Sequence, residues 1–419
     1  MPYLPRIVET ELDDCLAAAG AVVVEGPKAC GKTATARQRA ASEVLLDVDR
    51  NARRLASVDP DTALAGATPR LIDEWQLEPS IWNHVRRAVD DRTDPGQFIL
   101  TGSAVPADDV TRHSGAGRFT RIRMRPLSLV EAGRSSGEIS LAALLNGSPQ
   151  GAEAVSLSIP ELAELVAIGG WPGNHGQSTS ATLRSNLGYL NEIRRTDISR
   201  VAERRADPIR VGRLLRSLAR NTATEATLSK LAADVGASQI TMKPETAAGY
   251  LDALEQLMVV EDQPAWSPHL RSRATLREAP KRHFVDPSLA VAALRATPKR
   301  LLSDLRFLGL LFESLVVRDL RIYAQANDAE VFHYREKGGL EVDAIVQAAD
   351  GRWAAFEIKL GERWIDEGMK NLRRLAQRAP RAMRDAPSEP SALAVIVPNG
   401  YGYTGSSDLG VVPIGALGP

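Results

Sequence analysis

The hydrophobic and polar positions of this chain change period along its length. In the first third, short apolar runs stop abruptly in polar residues, at Ala21–Val24, Val44–Val48, Arg70–Ile72 and Phe98–Leu100. Between them lie stretches of helical character, one in "KTATARQRAASE" from Lys32 and one around Ile81–Val89. Short apolar runs alternating with helices predict an α/β region built on a parallel sheet. "RFTRIRMRPLSLVEAG", Arg118–Gly133, continues it with one more alternating strand. Ser135–Pro160 is rich in Ser, Gly and Ala and reads as loop with one short helix. "GGWPGNHG", Gly169–Gly176, is a break.

From about Thr182 to Trp266 the pattern turns helical. "TLSKLAADVGAS" reads as a helix with a glycine stop, and "PETAAGYLDALEQLMVV" as a helix with Pro244 in its first turn, followed by an extended piece. Helix–turn–helix–strand resembles a winged helix. In the last third, Val331–Glu362 reads as three strands with turns at Lys337–Gly339 and Asp350-Gly351. Helical "GLLFESLVVRDL" precedes them, and "EGMKNLRRLAQ" and apolar "ALAVIVP" follow. The expected organisation is an α/β domain over 1–180, a helical winged-helix-like domain over 181–270 and a second α/β domain over 271–419.

Composition narrows the class. A hydrophobic content of 44% and a charged content of 25% are ordinary for a soluble globular chain. The apolar run Leu16–Val24 is too short to cross a bilayer and lacks the flanks of a signal peptide. Cys15 and Cys30 are the two cysteines, which argues for a reducing cytoplasm and against a disulfide framework. Lys+Arg and Asp+Glu both number 52, so no global field draws nucleic acid. Any nucleic-acid site must be a local patch, and Arg184–Arg220 offers one, with ten arginines against four acids. The helix Pro244–Gln256 carries Glu245, Asp252 and Glu255 and no basic residue. It is a poor match to a helix that reads base edges, and it favours packing or docking of a protein partner over DNA readout.

Candidate chemistry begins in "VVVEGPKACGKTATA". The loop Gly26, Pro27, Lys28, Ala29, Cys30, Gly31, Lys32, Thr33 fits G-x-x-x-x-G-K-[ST] at every fixed position. A buried strand enters it, and two glycines let its N–H groups turn inward. Lys32 is placed to reach the β- and γ-phosphates of ATP, Thr33 to hold Mg²⁺, and a following helix to face the anion. Cys30 fills a position that the pattern leaves free. "PRLIDEWQ" ends a strand in Asp73-Glu74; Asp73 suits the Mg²⁺ shell and Glu74 suits polarising the attacking water. "QFILTGS" ends in Thr101 and Ser103, either of which can sense the γ-phosphate.

A second site is read from strand alternation. In "WAAFEIKL", Trp353, Ala355, Glu357 and Lys359 share one face, and Phe356, Ile358 and Leu360 share the other. The preceding strand presents Glu341 and Asp343, so a hairpin lets Asp343, Glu357 and Lys359 converge, with Glu313 a further acid. Two carboxylates that bind Mg²⁺ beside a lysine that orients or deprotonates water would suit phosphodiester hydrolysis.

At this point the chain resembles the prokaryotic AAA-type ATPases fused to a C-terminal domain with a restriction-endonuclease-like core. The resemblance is carried by "VVVEGPKACGKT", "LIDEWQ", "ILTGS", "GAGRFTRIRMRPLSLVE", "GGWP", "TAAGYLDALEQLMVV", "FVDPSLA", "GLLFESLV", "HYREKGGLEVDAIV" and "AAFEIKLGE", in family order along nearly the whole chain. It implies an AAA-type P-loop ATPase domain, a small winged-helix-like domain and a nuclease-like domain. Lys28 stands where the family often has arginine. Arg118 and Arg121 fall in the family's "GR" region, where an arginine finger and a structural salt bridge are both open. The expected activity is Mg²⁺-dependent ATP hydrolysis controlling the nuclease-like domain. The alternative is an ATP-dependent switch that docks a protein partner while the C-terminal domain stays catalytically silent.

Overall fold

The computed structural model describes residues 2–102, 114–201, 206–236, 242–267, 279–336, 338–382, 389–404 and 409–419. Ser103 and Lys337 lie outside these residues. Five strands open the chain: β1 (Ala21–Glu25), β2 (Ser42–Leu45), β3 (Arg70–Asp73), β4 (Phe98–Gly102) and β5 (Phe119–Arg123). They form one sheet in the order β2-β3-β4-β1-β5, every pair parallel. The near-continuous apolar runs follow from burial on both faces. Val23, Ile72 and Leu100 pack with Trp75, Trp82 and the helix Ile81–Arg92 on one side. Val22, Val24, Leu71 and Ile99 pack with Leu12 of the helix Val8–Ala18 on the other.

Some expected elements are corrected. The helix after the glycine loop is Lys32–Arg37 and stops well short of "RAASE". The Ala41 N–H leaves it to bond the Pro69 carbonyl at 2.8 Å. β2 therefore begins at Ser42, earlier than expected. It ends before Val48, because Asp49 caps a new helix, Arg50–Val58, accepting from Asn51 and Ala52 N–H. Ser135–Pro160 is more than loop. It holds β6 (Ile139–Ser140), the helix Leu141–Leu145 and β7 (Gln150–Val155).

The C-terminal part contributes β8 (Ala329–Arg335), β9 (Glu341–Ala348), β10 (Trp353–Ile358), β11 (Ala392–Val397), β12 (Gly400–Thr404), β13 (Gly410–Pro413) and β14 (Leu417–Gly418). Its sheet runs β7-β12-β13-β11-β10-β9-β8, with β7 as an edge strand from far upstream. β8, β9 and β10 are antiparallel, while β10, β11 and β13 are parallel. The helix Leu305–Gln325 covers one face and Ile365–Ala382 the other; Phe356 and Ile358 join the first core, Trp353 and Ala355 the second. β6 pairs with β14. The middle region holds the helices Pro208–Arg220, Leu228–Gly236 and Pro244–Gln256. Antiparallel bridges follow, joining Val260 to Phe284, Gln263 to Lys281 and Thr224 to Arg282.

The parts are joined at Arg318. Its guanidinium bonds Asp286 at 2.8 Å and Asp319 at 2.7 Å, all three side chains buried. Asp286 accepts from the Gly170 N–H at 2.9 Å, and Asp319 from the Leu129 N–H at 3.0 Å. A Cβ on Gly170 would stand 2.1 Å from the Leu127 carbonyl oxygen, so only glycine allows this approach. "GGWP", "FVDPSLA" and "GLLFESLVVRDL" thus meet at one buried charge network.

Candidate nucleotide site and a C-terminal ionic cluster

β1 delivers the chain to the glycine loop, and β3 and β4 end beside it because the three strands are adjacent and parallel. Thr33, at the second position of its helix, donates to Asp73 Oδ1 at 2.8 Å. Thr101 donates to the same oxygen from β4. The hydroxyl and carboxylate expected to hold Mg²⁺ are therefore together, with Thr101 beside them. Lys32 lies along the loop, its ammonium donating to the Gly26 and Pro27 carbonyls at 2.9 Å each. Gly31 adopts φ 104°, open to glycine and costly for other residues. Glu74 follows Asp73 in a left-handed conformation, φ 54° and ψ 44°, and accepts from Gln76 Nε2. The group set suits a nucleoside triphosphate with a hard divalent cation: loop N–H groups and a lysine for the phosphates, a hydroxyl and a carboxylate for the cation.

Some supporting residues were not legible in the motif. Arg6 sits behind the loop, buried, and its guanidinium donates to the Cys30 carbonyl at 2.7 Å, to Glu131 at 3.0 Å and to the Arg125 carbonyl at 2.7 Å. Cys30 is buried in that packing. Asp197, from the middle region, takes Lys28 at 2.5 Å. Arg118 pairs with Asp90 at 2.8 Å, and Arg121 pairs with Glu25 and lies over the Trp82 ring at 5.2 Å. Both arginines of the "GR" region are therefore in salt bridges within the domain.

In the C-terminal part, β9 and β10 bring Asp343, Glu357 and Lys359 together. Lys359 Nζ stands 3.4 Å from Asp343 Oδ2 and also pairs with Glu357. The Ile358 N–H donates to Asp343 at 2.8 Å and Asn371 to Glu357 at 3.2 Å. Sequence reading missed Lys281. It is 2% exposed and reaches Glu313 at 2.7 Å, Glu341 at 3.1 Å and Asp343 at 3.4 Å. Burial pushes the Glu313 and Glu357 carboxyls up, Asp343 adding to both. Burial works against the Asp343 charge as well, but Lys281, Lys359 and the Ile358 N–H hold it below the usual carboxylate range. Among the described residues, no group of three or more His, Cys, Asp or Glu side chains is arranged to hold a metal ion. Two lysines, Lys281 and Lys359, stand among the four carboxylates Glu313, Glu341, Asp343 and Glu357.

A glycine loop between β1 and its helix, with Asp73 and Thr101 ending the neighbouring parallel strands, defines a P-loop NTPase fold. Residues 18–133 match the model of an AAA domain, which supports a P-loop domain of the AAA type. Residues 159–300 and 308–417 match two domains of unknown function, DUF8612 and DUF4143. Uncharacterized proteins of Mycobacterium tuberculosis and Mycobacterium bovis are each 26% identical over 367 residues, covering 84% of this chain and 73% of theirs. Among solved structures, a Walker-type ATPase of Pyrococcus abyssi aligns with a TM-score of 0.41 at 14% identity, covering 70% of this chain and 96% of that one. Drosophila ORC bound to DNA aligns with a TM-score of 0.21 at 14% identity, covering 69% and 85%. Among the described residues, no helix is long and apolar enough to cross a membrane.

Proposed function

We propose that this chain binds ATP on the loop Gly26–Thr33, hydrolyses it with Mg²⁺, and uses the nucleotide state to control its C-terminal domain. The observation that carries the reading is the convergence of Thr33, Asp73 and Thr101, with Glu74 at the end of the same strand as Asp73. Mg²⁺, when bound, would neutralise developing charge on the phosphates. Asp73 and Thr33 would hold that ion, Lys32 would turn from the loop carbonyls to the phosphates, and Glu74 would orient and polarise the attacking water. The test is Mg²⁺-dependent phosphate release by the full chain, compared with Lys32→Ala and Glu74→Gln.

A nuclease-like C-terminal domain is a second part of this reading. It is favoured by the order helix, three antiparallel strands, helix, parallel strand, and by the approach of Asp343, Glu357 and Lys359. Asp343 and Glu357 would hold Mg²⁺ or Mn²⁺ and Lys359 would act on water. Two lysines already in the cluster favour the rival form, a switch whose C-terminal domain is silent. Mn²⁺ binding and cleavage of DNA or RNA by the full chain, with and without ATP, against Asp343→Asn, separate the two. The middle region supports a winged-helix-like reading, with three helices and the paired segments around Val260–Gln263 and Lys281–Phe284.

A further inference from the structure

The loop Gly26–Thr33 is covered on one side by the Gly169–Gly176 break and the start of the middle region that follows it. A Cβ on Gly31 would stand 3.7 Å from the Pro172 ring. Trp171, beside Pro172, packs against Tyr189 at 4.8 Å between ring centroids, and Tyr189 belongs to the helix Thr179–Glu192. Directly after that helix, the backbone winds into a π turn, Ile193–Asp197. Such turns are rare and occur often at functional sites. This one presents Asp197 to the loop, where Lys28 Nζ donates to its Oδ1 at 2.5 Å.

The pair is asymmetric. The Asp197 side chain is 4% exposed and fixed by its element, while Lys28 is 39% exposed on a flexible stem. Asp197 has a further interaction besides Lys28. Lys28 is two residues beyond Gly26, inside the loop that would cradle a triphosphate. That ligand would bring several negative charges to the loop, against the single charge of Asp197.

We propose that Asp197 and the phosphates of a bound nucleoside triphosphate compete for Lys28, so that loading the loop releases the π turn and signals the middle region. This rests on the reading of the loop as an ATP site. Asp197 is a positioning residue, acting through Lys28. Linkage makes the effect reciprocal: what holds the π turn against the loop weakens nucleotide binding by the same factor.

The experiment uses the full chain and Mg²⁺ with a slowly hydrolysed ATP analogue. Affinity is measured by calorimetry, and amide exchange is followed over residues 190–199. In the wild type, nucleotide should speed exchange in that segment. Asp197→Asn should bind the analogue about tenfold tighter and Lys28→Met about tenfold weaker. Both should exchange fast without nucleotide and change little on adding it, while Lys28→Arg should keep the wild-type response. Lys28→Met leaves the buried carboxylate in place, so it keeps the test alive if Asp197→Asn melts early. Wild-type binding with unchanged exchange at 190–199, and an Asp197→Asn affinity within about twofold of wild type, would overturn the competition alone. No binding by the wild type, indistinguishable from Lys32→Ala, would overturn the ATP reading and the competition together.

Discussion

Glu74 holds a left-handed backbone conformation that costs a non-glycine residue about 1–2 kcal/mol, and it does so one residue beyond an aspartate bonded to Thr33 and Thr101. Strain of that kind persists where the surroundings fix it, and it clusters at working sites. Glu74→Gln keeps the shape and removes the base, so it should bind ATP as the wild type does and lower turnover about a hundredfold or more. Wild-type phosphate release by this variant would remove Glu74 from its role. Lys32→Ala should abolish tight ATP binding, because the loop loses the cation aimed at the phosphates. Elsewhere, His333 is fully buried. Burial, then the like charges of Lys281 and Arg335, push its pKa down to about 4 from 6.5, despite Glu225 at 3.8 Å. The sign is that of a depressed base. Above about pH 6.5 the ring is neutral folded and unfolded and contributes no slope. As pH falls below that, the unfolded chain takes up the proton first, and stability is lost. Between pH 7 and 5 this ring should cost about 2 kcal/mol, and buried His283 acts in the same direction. Urea unfolding across that window should show a shallower slope for His333→Phe; an unchanged slope would assign the acid sensitivity to other groups.

The helix Pro208–Arg220 buries Val211, Leu214, Leu215 and Leu218, leaves Arg210 and Arg213 half-buried and exposes Arg216 and Arg220. Arg213, Arg216 and Arg220 line a hollow of about 270 Å³ with Asp234 at its side. Asp234 is already accepting from Ser217 at 3.0 Å and Asn221 at 3.1 Å. The acidic helix Pro244–Gln256 does not offer a comparable face. If this chain binds polynucleotide, binding should therefore be salt-dependent and indifferent to sequence. Arg216→Gln with Arg220→Gln should flatten the slope of log affinity against log salt by about 1.8 on duplex DNA. A thousandfold preference for one duplex would require base readout and contradict this assignment. At this scale the sequence was legible where structure is local. The P-loop strands follow from short apolar runs, the helix Ile81–Arg92 from the helical stretch between two of them, and the antiparallel strands β8-β9-β10, with the approach of Asp343, Glu357 and Lys359, from short-range alternation. β7 was not legible, because "QGAEAV" has little apolar content and its partner β12 lies far along the chain. Lys281 was not legible because its three acids sit on one helix and one strand well downstream. The long reading of the loop helix failed for a different reason: a good local propensity was overridden where Ala41 bonds Pro69.

Across the whole molecule, the C-terminal sheet is not closed by C-terminal residues alone. Upstream residues complete it and the chain end beside it: β7 pairs with β12 in the sheet, while β6 pairs with β14 in a separate two-stranded sheet, where Ser135 Oγ donates to the Leu417 carbonyl at 2.7 Å and Ser140 Oγ to the Pro419 carbonyl at 2.6 Å. Lys281, held by its bridge to Gln263 of the middle region, joins the cluster of Glu313, Glu341 and Asp343. A fragment beginning near Leu301 would therefore open the edge of β12 and strand buried carboxylates. Breaking a buried ion pair by removing one partner costs about 3–5 kcal/mol, a large part of the stability of a domain of this size, and an uncovered strand edge invites association. Residues 301–419 alone should aggregate or unfold without a cooperative transition, whereas residues 134–419 should melt cooperatively by circular dichroism. The same logic bears on the control proposed above: a domain completed by the region that follows the parallel sheet would feel a shift in that region directly, through Lys281 and β7. Cooperative folding of 301–419 alone, with a melting temperature equal to that of 134–419, would show the C-terminal domain to be self-sufficient and would remove that route.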